Sequence, residues 1–128
     1  MALSRDLTNK IKVIELLAPA TYTAAAEQTT AAIDGDFMRD GILLISCGVI
    51  AATSEIGYQL QTCDTSDGTY TDVLDADGAL TVADTLSVVQ VSVINLERYV
   101  KFQYDVDTDE ALFGAALIGA HRPENPPA

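Results

Sequence analysis

The sequence predicts an all-β protein: a single-domain antiparallel β-sandwich or barrel with an extended N-terminal arm and a proline-rich C-terminal tail. Apolar and polar residues alternate in several segments, as they do in strands that have one solvated face. Turn residues recur about every 8–12 positions, which is typical of sandwiches and barrels. The chain has 128 residues and is 48% apolar, so it can form one core without a metal or a disulfide.

Three regions follow from this pattern: an N-terminal arm at residues 1–10, a β domain at 11–120 and a C-terminal tail at 121–128. The arm is polar and has no periodicity. Residues 11–17 are short, apolar and rich in β-branched side chains, so they are predicted as a strand that ends before Pro19. Threonines on both sides of residues 24–27 favour extended chain there over a helical turn.

The β domain continues through segments with clear strand patterns, at residues 42–52, 56–62, 69–74, 86–95, 98–106 and 111–120. The first of these is almost continuously apolar, which indicates a strand buried on both faces. The segments 86–95 and 98–106 are predicted to form a hairpin, with Val100, Phe102 and Tyr104 buried and Lys101 and Gln103 not buried. The small apolar residues of 111–120 suit a central or interface strand.

Polar clusters predict the turns between these strands, at residues 34–36, 64–68, 75–78 and 105–110. Aspartate forms local hydrogen bonds in such turns, and glycine adopts positive φ. The tail holds three of the four prolines, so it cannot join a sheet ladder.

The composition argues against several classes of partner. Nineteen acidic and seven basic residues give a net charge of −12, which repels nucleic acid and anionic membranes. No apolar run approaches the roughly 18 residues of a membrane helix. The N-terminus lacks the layout of a secretory signal, so we expect synthesis and assembly in the cytoplasm.

Candidate chemical groups are few, and we expect a protein that is not an enzyme and has no catalytic, cofactor or metal site. His121 is the single histidine and lies in the tail without a partner for catalysis or metal binding. Residues 64–68 resemble a calcium loop but lack its third acidic ligand and distal glutamate. The acidic run 105–110 is a solvated loop, because carboxylates need burial for acid–base work.

Cys47 and Cys63 are too few for a disulfide framework. If their strands form a hairpin that turns near Ser54, the two residues are diagonal neighbours, which is poor disulfide geometry. We therefore expect both to be small hydrophobic residues in a reducing compartment.

Several segments together resemble a known family. They are residues 11–13 (IKV), 17–24 (LAPATYTA), 60–73 (LQTCDTSDGTYTDV), 98–102 (RYVKF) and 112–123 (LFGAALIGAHRP), followed by a Pro-Ala end. This order resembles small virion proteins of tailed bacteriophages, the head decoration or auxiliary capsid proteins. The resemblance covers most of the chain except residues 34–54, and the family has no catalytic residues to transfer.

The resemblance implies a capsid decoration (cement) protein, made in the host bacterial cytoplasm, that binds the outer head surface and stabilises the shell. Its partners would be the major capsid protein and neighbouring copies of itself, in a homo-oligomer such as a trimer. Terminal segments gain order on docking, so the interface candidates are Leu7, Ile11, Val13, Leu16, Leu17, His121, Arg122 and Pro123. Segment 11–17 could equally be the first core strand.

Two other functions remain open from the sequence. A tail or head–tail connector component would need a ring-forming interface. A displayed cell- or sugar-binding β module would need an aromatic platform, and the chain has no tryptophan.

Overall fold

The structure, a computed structural model, describes residues 11–23, 25–35 and 38–120. It contains nine strands and one short 3₁₀ helix, Val82–Asp84. The strands are β1 (Ile11–Tyr22), β2 (Ala25–Thr29), β3 (Ile33–Asp34), β4 (Gly41–Ile50), β5 (Glu55–Cys63), β6 (Thr71–Leu80), β7 (Val88–Val93), β8 (Tyr99–Asp107) and β9 (Ala111–Ala120). Within the described ranges, no helix has the length and apolar character needed to span a membrane.

The strands form two antiparallel sheets, which confirms the predicted sandwich. Sheet I has the order β1-β9-β4-β7, and sheet II has the order β2-β8-β5-β6, with the short β3 beside β8. Most connections pass from one sheet to the other, so neighbours in sequence are seldom neighbours in a sheet. This order is that of a jelly roll, in which two four-stranded sheets are wound from Greek keys. The predicted extended arm and the tail lie outside the described residues.

The first strand continues past Pro19, so the prediction that it ends there is wrong. β1 is an edge strand that pairs only with β9, and its register shifts between Leu17 and Ala20. Proline is tolerated at an irregular position on a sheet edge because its missing N–H is not needed by a second neighbour. The edge position therefore overrides the stop signal.

The prediction that residues 42–52 are buried on both faces is also wrong. β4 alternates: Leu43, Ile45 and Cys47 are buried, whereas Ile42 and Ser46 are exposed. The strand is central in sheet I, but only one of its faces packs against sheet II. Its outer face is apolar without being covered by any described part of the chain.

The aspartates and glycine at residues 75–78 do not form a turn but lie inside β6. Asp75 has a left-handed φ of 59°, and the pairing with β5 shifts between Gln59 and Gln61. The polar cluster therefore marks a β-bulge, which uses the same local backbone conformations as a turn. By contrast, residues 64–68 do form the predicted turn, closed by a hydrogen bond from the Gly68 N–H to the Thr65 carbonyl.

The predicted hairpin of 86–95 with 98–106 does not exist, because β7 lies in sheet I and β8 in sheet II. The loop between them crosses the edge of the sandwich. Buried Thr62 holds this crossover: its Oγ1 accepts the Glu97 N–H at 2.8 Å and donates to the Tyr99 carbonyl at 2.9 Å.

The core lies between the two sheets. Its largest fully buried side chains include Phe102 of β8 and Phe113 of β9, one from each sheet. Tyr104 joins them, with ring centroids 6.1 Å from Phe102 and 5.8 Å from Phe113. As predicted, Val100 and Phe102 are buried while Lys101 and Gln103 are not, and β9 is a central strand. Tyr104, also predicted to be buried, is only half-buried, because it packs against this core from its edge.

Cys47 and Cys63 are both buried and free. The hairpin geometry inferred for them is wrong, because β4 and β5 lie in different sheets. Cys47 pairs with Phe113 in sheet I, and Cys63 pairs with Tyr99 in sheet II. Their role as small core hydrophobic residues is confirmed by their burial.

Candidate functional site

The outward side of sheet I carries an unusual set of side chains, which we call the apolar face. Strand alternation directs the following residues to this side: Val13 and Glu15 of β1; Leu112, Gly114, Ala116 and Ile118 of β9; Ile42, Leu44 and Ser46 of β4; and Val88, Gln90 and Ser92 of β7. Glu15 is the one charged residue in this set. A surface so poor in charge is unexpected on a protein of net charge −12.

The register aligns apolar side chains in a row across the face. Val13 lies opposite Ile118, and Ile118 lies opposite Ile42 on its other side. Val13 is 63% exposed and Ile42 is 38% exposed. The next row holds Ala116 and Leu44, so large and small apolar groups adjoin.

Most of the exposed hydrophobic surface belongs to this sheet. Of the ten large hydrophobic residues exposed in the described part of the chain, all but Leu74 and Val82 lie in a sheet I strand or within two residues of one. Scattered exposed hydrophobic residues are ordinary, but a contiguous apolar patch marks an interaction surface.

A shallow depression of about 190 Å³ lies in the middle of the apolar face, bordered by Val13, Glu15, Pro19, Leu44, Ser46 and Ala116. Pro19 lies directly over Gly114: a Cβ on that glycine would come within 3.0 Å of the proline ring. The bulge that carries the edge strand past Pro19 therefore also shapes this surface.

The outward side of sheet II has the opposite character, and we call it the acidic face. It carries six carboxylates and one lysine: Glu27, Glu55, Asp72, Asp77, Asp105, Asp107 and Lys101. The molecule thus has one face suited to water and one face that gains from being covered.

A polar groove of about 450 Å³ crosses the acidic face. Gln103, Gln59 and Asp77 are paired in register across three strands and line its floor. Tyr58 and Tyr104 border the groove, but their rings stack on Phe102 in the core, so they form no flat platform on the surface.

The structure distributes the interface residues predicted from sequence unevenly. Ile11 and Val13 are exposed at the start of β1. Leu16 and Leu17 are buried in the core, as expected if this part of the segment is the first core strand, and Leu17 also borders the depression of the apolar face. Leu7, His121, Arg122 and Pro123 lie outside the described residues.

Other residues of the apolar face were not among the sequence-based candidates. Ile42 and Leu44 belong to a run whose uniform apolar character predicts burial on both faces, and Ile118 belongs to a run predicted as a central or interface strand. A continuous apolar run has the same pattern whether its second face is buried or awaits a partner. The available signal for an interface was the small apolar character of residues 111–120, for which the sequence predicts a central or interface strand.

One group of side chains in the described ranges could hold a cation. The Cys63 Sγ and carboxylate oxygens of Asp64 and Glu97 lie within 4.8 Å of one another. Two carboxylates and a thiol do not supply the six to eight oxygen ligands of a calcium site.

The Cys47 thiol lies apart from this group. Burial raises the pKa of the Cys47 thiol, with a further contribution from Asp84, so this thiol stays protonated at neutral pH.

Comparison with known proteins places the fold. The sequence matches no family model and no curated protein. Among solved structures, a VP2 subviral particle of infectious bursal disease virus matches with a TM-score of 0.56 and 11% identity, covering 91% of this chain and 34% of the viral one. The T13 particle of the same virus gives 0.54 and 12%, covering 90% of this chain and 31% of the viral one.

A carbohydrate-binding module from Cellvibrio mixtus lichenase 5A also aligns, with a TM-score of 0.45 and 8% identity over 88% of this chain and 99% of the module. The chain spans about a third of the length of the viral proteins it matches. At these identities the viral matches show the fold alone: this chain has a β-sandwich also found in a virus capsid.

Proposed function

We propose that this protein is a structural component of a virus particle, and specifically a capsid decoration protein that docks on the outer shell through its apolar face. In this proposal it is not an enzyme, and it acts by protein–protein contact. The observation that carries the proposal is the contrast between the apolar face of sheet I and the acidic face of sheet II.

The charge distribution supports a fixed orientation on the shell. Interface cores are depleted in charge, and the apolar face has a single carboxylate among its outward side chains. The acidic face would then point to solvent, where its carboxylates remain hydrated. Neither nucleic acid nor an anionic membrane suits a body of this net charge, so the proposed partners are the major capsid protein and neighbouring copies of this chain.

The size of the apolar face is adequate for a specific contact. The strands β1, β9, β4 and β7 have 12, 10, 10 and 6 residues. At roughly 3.3 Å per residue and about 4.8 Å between strands, they give a footprint of about 600 Å². Standard interfaces bury about 800 Å² on each partner, so one face of this size can contribute most of a docking contact.

The fold and the sequence resemblance support the same proposal from different directions. Jelly rolls recur in viral capsids, and the segments quoted above resemble decoration proteins of tailed bacteriophages. Fold alone does not define function, which is why the proposal depends on the apolar face. A head–tail connector would use the same kind of face against a ring of partners.

A pair of charge insertions tests the docking face. Val13→Asp places a carboxylate on the apolar face, at an exposed position of the edge strand β1. Leu74→Asp places a carboxylate at an exposed position of β6, in sheet II and therefore outside the apolar face. We expect Val13→Asp to weaken binding to assembled capsid shells at least about tenfold, because the buried charge would lack a partner. Leu74→Asp is the matched control and should bind like wild type.

Equal binding by both variants would contradict the assignment of the face. Both variants should melt close to the wild-type temperature, because both positions are largely solvated.

The polar groove of the acidic face favours a second candidate, a displayed module that binds a polyhydroxylated ligand. Its amides and carboxylates could pair with hydroxyl groups. Calorimetry with soluble oligosaccharides tests this candidate: saturable heat that Gln59→Ala removes would support it, and its absence would leave docking as the proposed function.

A further inference from the structure

Leu86 combines two properties that are unfavourable for a leucine. It is 77% exposed, the largest value among the exposed hydrophobic residues described. Its φ is 61°, in the left-handed region that glycine and asparagine adopt far more readily than leucine. A side chain that is strained and contributes no burial is a sign of a functional position.

Hydrogen bonds to β4 fix the backbone around Leu86. The Leu86 N–H donates to the Gly48 carbonyl at 2.9 Å, and the Cys47 N–H donates to the Ser87 carbonyl at 2.9 Å. The Ile50 N–H donates to the Thr85 Oγ1 at 3.2 Å. The leucine is therefore held outward on a prearranged loop, and a prearranged group loses little entropy when it binds.

Leu86 belongs to a cluster of exposed apolar side chains around Gly48. Val49 follows this glycine, and Leu112 lies so close over it that a Cβ on Gly48 would come within 2.5 Å of the leucine side chain. Val88 pairs with Ser46, which lies two residues before Gly48 in β4. We call Val49, Leu86, Val88 and Leu112 the Gly48 patch; it continues the apolar face at one end of sheet I.

A carboxylate borders the Gly48 patch. Glu110 lines a depression of about 180 Å³ together with Val49 and Leu112. None of the described lysines or arginines borders that depression. A second copy of this acidic chain would meet repulsion here, whereas a basic rim on a partner would complement Glu110 and the net negative charge of the chain.

We propose that Leu86 is the anchor residue of docking and inserts into an apolar pocket with a lysine- or arginine-bearing rim on the capsid shell. This assignment rests on the proposed function and deepens it: it names the residue that enters the partner and the chemistry of the partner's site.

The test measures melting temperature and binding to shells assembled from the major capsid protein of the same virus. Leu86→Asn keeps the left-handed backbone and removes the apolar side chain. We expect an unchanged or higher melting temperature and at least about tenfold weaker binding, from the lost burial of one leucine. Leu74→Asn removes another highly exposed leucine, from sheet II, and should bind like wild type.

A charge variant tests the rim. Glu110→Gln should weaken binding severalfold and reduce its dependence on salt, because one attraction to the basic rim is lost. Unchanged binding and salt dependence in this variant would overturn the basic-rim assignment.

Three results for the Leu86→Asn variant would overturn the anchor assignment. Wild-type binding by Leu86→Asn shows that the leucine does not enter the partner. A clearly lower melting temperature shows that the leucine supports the fold. Concentration-dependent self-association that Leu86→Asn abolishes shows that a second copy occupies the patch. If the wild-type chain itself does not bind shells, the proposed function fails and the anchor assignment fails with it.

Discussion

Truncation of Phe102 to alanine tests the packing of the two sheets. Phe102 is fully buried, so its whole side chain counts toward the loss. Its ring stacks against Tyr58, with centroids 6.5 Å apart, and against Tyr104, at 6.1 Å. Emptying such an aromatic site costs about 3–5 kcal/mol. Because Phe102 is fully buried among other large core side chains, the site cannot collapse easily, and we expect the upper half of this range.

Urea denaturation monitored by fluorescence or circular dichroism measures this loss. The midpoint should fall while the m-value stays constant, since the same surface is exposed on unfolding. Leu74→Ala is the control, because its side chain is 69% exposed and its removal should change stability by no more than about 0.5 kcal/mol. A loss below about 1.5 kcal/mol for Phe102→Ala would refute the placement of this ring in the shared core.

Two further predictions follow from backbone conformation and ionisation. Thr108 is an exposed β-branched residue with φ 79°, so Thr108→Gly should raise the free energy of unfolding by about 1 kcal/mol in urea titrations; a loss of stability would contradict this. Burial is the main cause that raises the pKa values of Cys47, ordinarily 9.0, and Tyr58, ordinarily 10.0. The folded state therefore holds these protons more tightly than the unfolded state. The resulting contribution to the free energy of unfolding is present below about pH 9 and is lost as the pH rises further. Urea titrations from pH 7 to 11 should show this decline, and Cys47→Ala should make it shallower; an identical slope in the variant would contradict the assignment to Cys47.

The fold class was predictable because its local signals are strong. Alternation places Val100 and Phe102 inside and Lys101 outside, and the structure agrees. The pairing of strands was not predictable in the same way. Turn residues show where a strand ends but not which sheet the next strand joins, so the sequence predicts a hairpin where β7 in fact crosses to β8 in the other sheet.

Irregular positions were the second source of error. Pro19 and the residues around Asp75 carry turn signals, yet both lie within strands, where edge position and bulges accommodate them. The candidate site was only partly predictable, since Ile42 and Ile118 have the same apolar pattern whether a sheet or a partner covers them. The left-handed conformation of Leu86 could not be predicted, because leucine is not a residue type that favours it.

A three-dimensional map of the virus particle with this protein located tests the central claim most directly. The account predicts density on the outer surface of the capsid, with sheet I against the shell and sheet II toward solvent. Density confined to the tail or the portal vertex, or a particle that contains no copy of the chain, would contradict it.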